Sequence, residues 1–202
     1  MSDEVRNGYE QADWQKHYDE QDLSWDLGHV ARPFVHLFDE KVIPQGSLII
    51  PGCGQGHEVI FFAERRFQVT GVDYSLGAVE LLRRSLKKKG LEAKVLHRNF
   101  FDLDKRNNRV YDSLLEQTFF CAIRPDERAA YVDIVFRILK PGGMLAGLFY
   151  ETGEKGGPPF NTTEDHIRDH FGEVFDIERL EKCTFSDEKR RDKEWLAVMR
   201  KK

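Results

Sequence analysis

From Ser47 onward the chain alternates short apolar runs with longer amphipathic ones, the pattern of an α/β domain. Leu48-Ile49-Ile50 predicts a first buried strand, broken by Pro51-Gly52-Cys53-Gly54-Gln55-Gly56. His57 to Arg65 predicts a helix with Val59, Ile60, Phe61, Phe62 and Ala63 turned inward. Gln68 to Val72 reads as a second strand ending at Asp73. Ser75 is placed to cap the next helix, which runs to Lys89 and is stopped by Gly90. Lys94-Val95-Leu96 and Tyr111 to Leu115 give a third and a fourth strand. Pro125 to Leu139 forms a helix closed by Lys140-Pro141-Gly142-Gly143, and Met144 to Tyr150 a fifth strand. Thr162 or Thr163 caps a helix through Phe171, and strand-like segments lie near Val174–Leu180 and Trp195–Met199. Ahead of Ser47, two helices are expected around Gln11–Tyr18 and Val30–Phe38.

Repeated strand-helix-strand units require right-handed crossovers and a parallel sheet. Ligands in such sheets sit beyond the carboxyl ends of the strands. The residues to weigh are therefore 51–56, 73–74, 99–102, 116–121 and 150–160. In the turn Gly52-Cys53-Gly54-Gln55-Gly56, glycine lets the backbone approach a ligand, and the helix that follows offers free N–H groups. The alternative is a tight strand-to-helix turn with no ligand. Asp73, at the end of the second strand, suits the two hydroxyls of an adenosine ribose; the alternative is a carboxylate that only caps the next helix. The glycine spacing is Gly-x-Gly-x-Gly rather than the dinucleotide Gly-x-Gly-x-x-Gly, and no Gly-Lys-Ser/Thr marks a P-loop.

Composition narrows the field. With 202 residues the chain suits one domain, its first 46 residues an N-terminal helical extension and residues 47–202 the α/β core. A net charge of −4 argues against a dedicated nucleic-acid binder. No apolar run approaches the ~20 residues of a membrane span. The acidic, polar start has no secretory apolar stretch, and the three cysteines, Cys53, Cys121 and Cys183, have no metal-ligand spacing. Reduced thiols in a cytoplasmic protein are the expectation. The seven histidines form no ligand cluster, so no metal is expected. The basic runs Lys87-Lys88-Lys89 and Lys189-Arg190-Arg191 read as solvated faces.

The turn Leu139-Lys140-Pro141-Gly142-Gly143 before the fifth strand resembles that of S-adenosylmethionine-dependent methyltransferases. The resemblance implies a Rossmann-like class I fold: seven strands, mostly parallel, the last antiparallel, with helices on both faces. Further motifs resemble the thiopurine methyltransferase superfamily, in particular its halide and thiol (thiocyanate) branch. They are Trp14 with Trp25-Asp26-x-Gly28, Ile50-Pro51-Gly52-Cys53-Gly54, Gly71-Val72-Asp73, Phe119-Phe120-Cys121-Ala122-Ile123 with Pro125 and Arg128, and Gly156-Gly157-Pro158-Pro159-Phe160.

The resemblance implies that Trp14, Tyr18 and Trp25 form a lid over S-adenosylmethionine, where aromatic faces attract the sulfonium. The alternative is rings that pin the extension to the core. Gly52, Gly54 and Asp73 are assigned to the cofactor. Asn99 and Phe100 fall where the family meets adenine; Asn99 stands where many relatives carry an acid, and Asp102 is the competing acceptor. Gln117 falls at the methionine portion. Arg128 is expected to face the acceptor, or else to be a solvated helix arginine. The Tyr150 hydroxyl is expected to orient a small acceptor, or else Tyr150 is an ordinary strand-end tyrosine. The implied reaction moves a methyl group to a small soft nucleophile, leaving S-adenosylhomocysteine, in a monomer with no nucleic-acid or membrane partner. The rival readings are a methyltransferase for a macromolecule or for oxygen or nitrogen of another small molecule, and a cofactor-binding module without catalysis.

Overall fold

The computed structural model describes residues 8–202; the first seven residues of the expected extension lie outside them. Seven strands form one sheet: β1 (Ser47–Pro51), β2 (Gln68–Asp73), β3 (Lys94–His97), β4 (Tyr111–Gln117), β5 (Leu139–Tyr150), β6 (Phe175–Lys182) and β7 (Glu194–Lys201). Their order is β3-β2-β1-β4-β5-β7-β6. Strands β1 to β5 pair in parallel, and β7 runs antiparallel to both β5 and β6. This is the expected class I arrangement.

Six helices are α1 (Gln11–Glu20), α2 (Arg32–Asp39), α3 (His57–Glu64), α4 (Leu76–Lys89), α5 (Arg128–Ile138) and α6 (Glu164–Phe171). The period of two along each central strand splits the core between the two faces. Leu48 and Ile50 of β1, with Met144, Ala146 and Leu148 of β5, pack under α2, α3 and α4. Ile49, Leu145 and Phe149 pack under α5 and α6 on the other face. Helix α2 buries Phe34 and Leu37 completely, so it belongs to the core. The cover over the strand ends is therefore shorter than the expected 1–46 and stops near Val30. Each such fully buried side chain contributes about 1.5–3 kcal/mol.

Two local differences from the sequence expectations have clear causes. Leu139 pairs with Tyr111, so β5 begins there and the Lys140–Gly143 turn becomes a bulge that moves the register to Ser113↔Met144. Ser75 holds the N-cap position of α4, but its hydroxyl does not cap. Ser75 Oγ donates instead to Gln15 Oε1 (3.0 Å), which also accepts the Gly77 N–H (3.1 Å). The cap of α4 thus comes from α1, and it fastens the cover to the sheet edge.

Candidate active site

Strand β1 lies at the point where the chain order reverses, between β2 and β4. The carboxyl ends of the strands open there into a cavity of about 620 Å³, the size of a small-molecule site. Every sequence-predicted site residue except Arg128 lines it: Trp14, Tyr18, Trp25, Gly52, Gly54, Asp73, Asn99, Phe100, Gln117 and Tyr150.

The floor is the turn after β1. Gly52 and Gly54 have φ of 55° and 53°, a region that favours glycine. A Cβ on Gly52 would come within 2.5 Å of the Phe119 ring. Side-chain-free backbone is thus exposed to the cavity, a cradle that fits a nucleoside cofactor. Asp73 closes the cradle. Its Oδ2 accepts the Gly54 N–H (2.9 Å) and its Oδ1 accepts the Ser75 N–H (2.9 Å). Burial raises its carboxyl above the usual range, and the two N–H donors oppose that rise. The acid thus braces the glycine turn and the start of the next helix, and each oxygen keeps a further lone pair on the cavity side.

After β3, Asn99 Oδ1 accepts the Phe101 N–H (3.1 Å), which leaves its amide hydrogens for a ligand. Asp102 is exposed and lies outside the cavity wall. Phe100 is buried against Phe119 and Tyr131. After β4, Gln117 is half-buried at the wall. Behind it, Glu116 is fully buried. Its Oε1 accepts the N–H groups of Phe119 and Phe120, and its Oε2 accepts the Tyr131 hydroxyl (2.6 Å). Burial raises its carboxyl to about 7.

The cover is an aromatic cluster. Trp14 and Trp25 meet edge to face at 5.2 Å, Tyr18 and Trp25 at 6.1 Å, and Tyr9 packs on Trp14 at 5.1 Å. Polar ties hold the segment that carries Trp25. Asp26 accepts from the Gly28 N–H, Gln55 Nε2 and His57 Nε2. The His57 imidazole is raised by that carboxylate, which is itself lowered. On the far side, Arg190 Nη2 donates to Trp25 O (2.5 Å), and Asp187 meets His29 and Arg32.

Arg128 corrects an expectation. It is 3% exposed and lies outside the cavity wall. Its guanidinium donates to Phe160 O, Asn161 O and Thr162 Oγ1 at 3.2–3.3 Å and stacks 4.6 Å from the Phe120 ring. It is not a solvated helix residue and does not line the cavity; it fastens the chain after the Gly156–Phe160 loop. Of the cations that line the wall, Arg98, Arg124, Lys189 and Arg190, the buried one is Arg190, from the run expected to be solvated. It is 7% exposed, sits 5.6 Å from the Tyr150 ring, and has Glu194 Oε1 at 3.5 Å. Lys189 lines the same wall. Among the described residues no group of three or more His, Cys, Asp or Glu is arranged to hold a metal, and no helix is long and apolar enough to cross a membrane.

Comparison with known proteins agrees with this geometry. The chain is 32% identical over 197 residues to thiocyanate methyltransferase 1 of Brassica oleracea, covering 95% of this chain and 86% of that protein. It is 34% identical over 155 residues to thiocyanate methyltransferase 1 of Arabidopsis thaliana, covering 75% and 67%. The fold matches 1,6-didemethyltoxoflavin-N1-methyltransferase of Burkholderia thailandensis, solved with S-adenosylhomocysteine, at a TM-score of 0.76 and 17% identity, over 95% of this chain and 86% of that one. The model of the thiopurine S-methyltransferase family matches residues 9–202. With a Rossmann-like sheet, a glycine cradle backed by a carboxylate and an aromatic cover, the chain belongs to the thiopurine S-methyltransferase family of S-adenosylmethionine-dependent enzymes.

Proposed function

We propose that this enzyme methylates a small, soft, anionic nucleophile: a thiolate (including a thiopurine sulfur), thiocyanate or a halide. The observation that carries the reading is Arg190, a buried guanidinium in the cavity wall beside Tyr150. When bound, S-adenosylmethionine supplies a methyl group on a cationic sulfur. The protein's task is to hold the nucleophile in line with that carbon, and positioning of this kind is worth on the order of 7–11 kcal/mol. Arg190, with Lys189 nearby, draws an anion to the wall and favours a thiol in its thiolate form. An acceptor that arrives charged needs no proton removed, so the absence of a Ser/His/Asp arrangement is consistent with catalysis. The aromatic cover excludes water from the transfer. On this reading Tyr150, whose ring lies 5.6 Å from the guanidinium, orients the acceptor through its hydroxyl. The names of the two plant relatives favour the same acceptor class. The reading includes a single-domain monomer in the cytosol, where the three buried thiols stay reduced.

The test is a panel of iodide, bromide, thiocyanate, hydrosulfide, an aromatic thiol and a thiopurine, assayed on the parent, Arg190→Leu and Arg190→Lys. Arg190→Leu is expected to raise KM for thiocyanate about 5- to 30-fold, a larger effect than any on calorimetric S-adenosylhomocysteine affinity through the lost tie to Trp25 O. Arg190→Lys restores more for a halide than for an extended acceptor, because a point charge suffices there. Preference for a neutral amine or alcohol over every member of the panel would overturn the proposal.

A further inference from the structure

Arg190 reaches the cavity wall with a carboxylate beside it. Glu194 opens β7 and stands across from Tyr150 in the β5–β7 register. It is 1% exposed, and it does not line the cavity, whereas Arg190 does. Its Oε1 lies 3.5 Å from Arg190 Nη1, and both side chains are out of solvent. Burial raises the Glu194 carboxyl above the usual range, and the Arg190 charge opposes that rise. Asp187, the other buried acid of this connection, is turned to His29 and Arg32. Of the other cations at the wall, Arg124 pairs with Glu10 and Glu127, Lys189 is exposed, and Arg98 follows β3 at the edge of the sheet opposite β6. The guanidinium beside Tyr150 is therefore one half of a buried ion pair, not a lone cation.

Resting on the proposed role of Arg190 at the acceptor, we infer that Glu194 is a specificity-determining residue: by cancelling the charge of Arg190 it closes the acceptor site to hard, strongly hydrated anions such as chloride and leaves it open to soft ones. The physics is a balance of desolvation against attraction. A lone buried guanidinium attracts every anion, because Coulomb energy grows as the local dielectric falls. Paired with Glu194, the guanidinium stays a hydrogen-bond donor but loses most of its net pull. An entering anion is then repaid less for the water it sheds. That cost is largest for a small ion with a tightly held hydration shell, and smallest for iodide, thiocyanate or a thiolate, whose charge is spread over larger atoms. Chloride is also the poorest nucleophile of this set, so a site filled with it is blocked rather than used. Glu194 lies outside the cavity wall and acts through Arg190.

The test is steady-state kinetics of the parent, Glu194→Gln and Arg190→Leu at mildly alkaline pH, with thiocyanate as acceptor, chloride as competing ion and gluconate holding the ionic strength. The amide keeps the shape of the carboxylate and removes its charge. Glu194→Gln is expected to lower both the KM for thiocyanate and the inhibition constant for chloride about 5- to 50-fold. Damage to the site moves both constants the other way. A second readout needs no turnover. Chloride should raise the Tm of cofactor-free Glu194→Gln, whose Arg190 is left without a counter-charge, more than it raises that of the parent. Glu194→Thr, which also removes the charge and suits a strand, guards against misfolding of the first variant and should shift the constants in the same direction. A thiocyanate KM and a chloride inhibition constant at or above the parent's in both variants overturn the inference, as does a Tm response to chloride equal to the parent's. An unchanged thiocyanate KM in Arg190→Leu would instead refute the reading of Arg190 on which the inference rests.

Discussion

Replacing Arg128 with alanine tests the reassignment of this residue from acceptor contact to loop anchor. The guanidinium makes four contacts of 3.2–3.3 Å, two of them to the same Asn161 carbonyl. At that length and with a shared acceptor they are worth about 1 kcal/mol each rather than the 1.5–3 of an ideal charged hydrogen bond. The stack on Phe120 adds roughly 1–2 kcal/mol in a desolvated setting. Against this stands the cost of burying a guanidinium with no salt-bridging carboxylate and an Nε that lacks a partner. The net expected loss is about 2–4 kcal/mol. For a chain of this size that is a fall in Tm of roughly 5–15 °C, read by calorimetry or circular dichroism. Arg128→Met, which keeps volume and loses charge, separates packing from hydrogen bonding. At a temperature where Arg128→Ala is folded, KM for thiocyanate should stay within about twofold of the parent. A Tm within about 1 °C of the parent, with KM raised several-fold, would refute the anchor and return Arg128 to the acceptor.

Other expectations follow from the same geometry. Burial lifts the Glu116 carboxyl from 4.5 to about 7. The folded state therefore holds a proton that the unfolded chain releases, and this group's contribution to stability falls as pH rises from about 4.5 to 7. Glu116→Gln should accordingly gain on the parent by on the order of 2–3 kcal/mol between pH 4.5 and 8, read from urea midpoints; a constant difference across that range would refute it. Gln15→Ala removes the oxygen that caps α4, at a cost of about 1–2 kcal/mol, and should hasten proteolysis within residues 8–30. S-adenosylhomocysteine should slow that cleavage and change the fluorescence of Trp14 and Trp25, isolated from Trp195 by single Trp→Phe variants; unchanged cleavage and emission would reduce the aromatic cluster to packing.

The sheet was readable because central strands are runs of apolar residues separated by amphipathic helices, and crossover handedness leaves few topologies. The cradle was readable because positive φ leaves glycine as its signature. Arg128 was read as facing the acceptor or solvent, although its position carried a clue to its burial. Residues 128, 131, 132, 135 and 138 share one face of α5, and the other four are apolar and buried. The helical period therefore put Arg128 inward, and attention to its charge outweighed the period. Arg190 left no such trace. Its neighbours Lys189 and Arg191 are exposed, and only the return of the β6–β7 connection over the cavity turns the middle residue inward. Gln15 was beyond sequence reasoning for the same reason: its partner, Gly77, lies 62 residues away.

The β6–β7 connection has a consequence for how such an enzyme diversifies. Lys182 pairs with Trp195, and the Cys183 N–H donates to Glu194 O at 2.9 Å, so residues 183–193 leave the sheet and return to it at one place. A loop closed at its base can change length or composition without moving the strands, because the entropic cost of loop length grows slowly. This loop brings Arg190 to the cavity, whereas the glycine cradle and Asp73 come from the β1–α3–β2 unit at the opposite end of the chain. On the proposed assignment, inheritance of the two halves is separable. Grafting residues 183–193 between relatives should transplant acceptor preference, with the recipient's affinity for S-adenosylhomocysteine preserved where the ties of Asp187 and Arg190 to His29, Arg32 and Trp25 are kept.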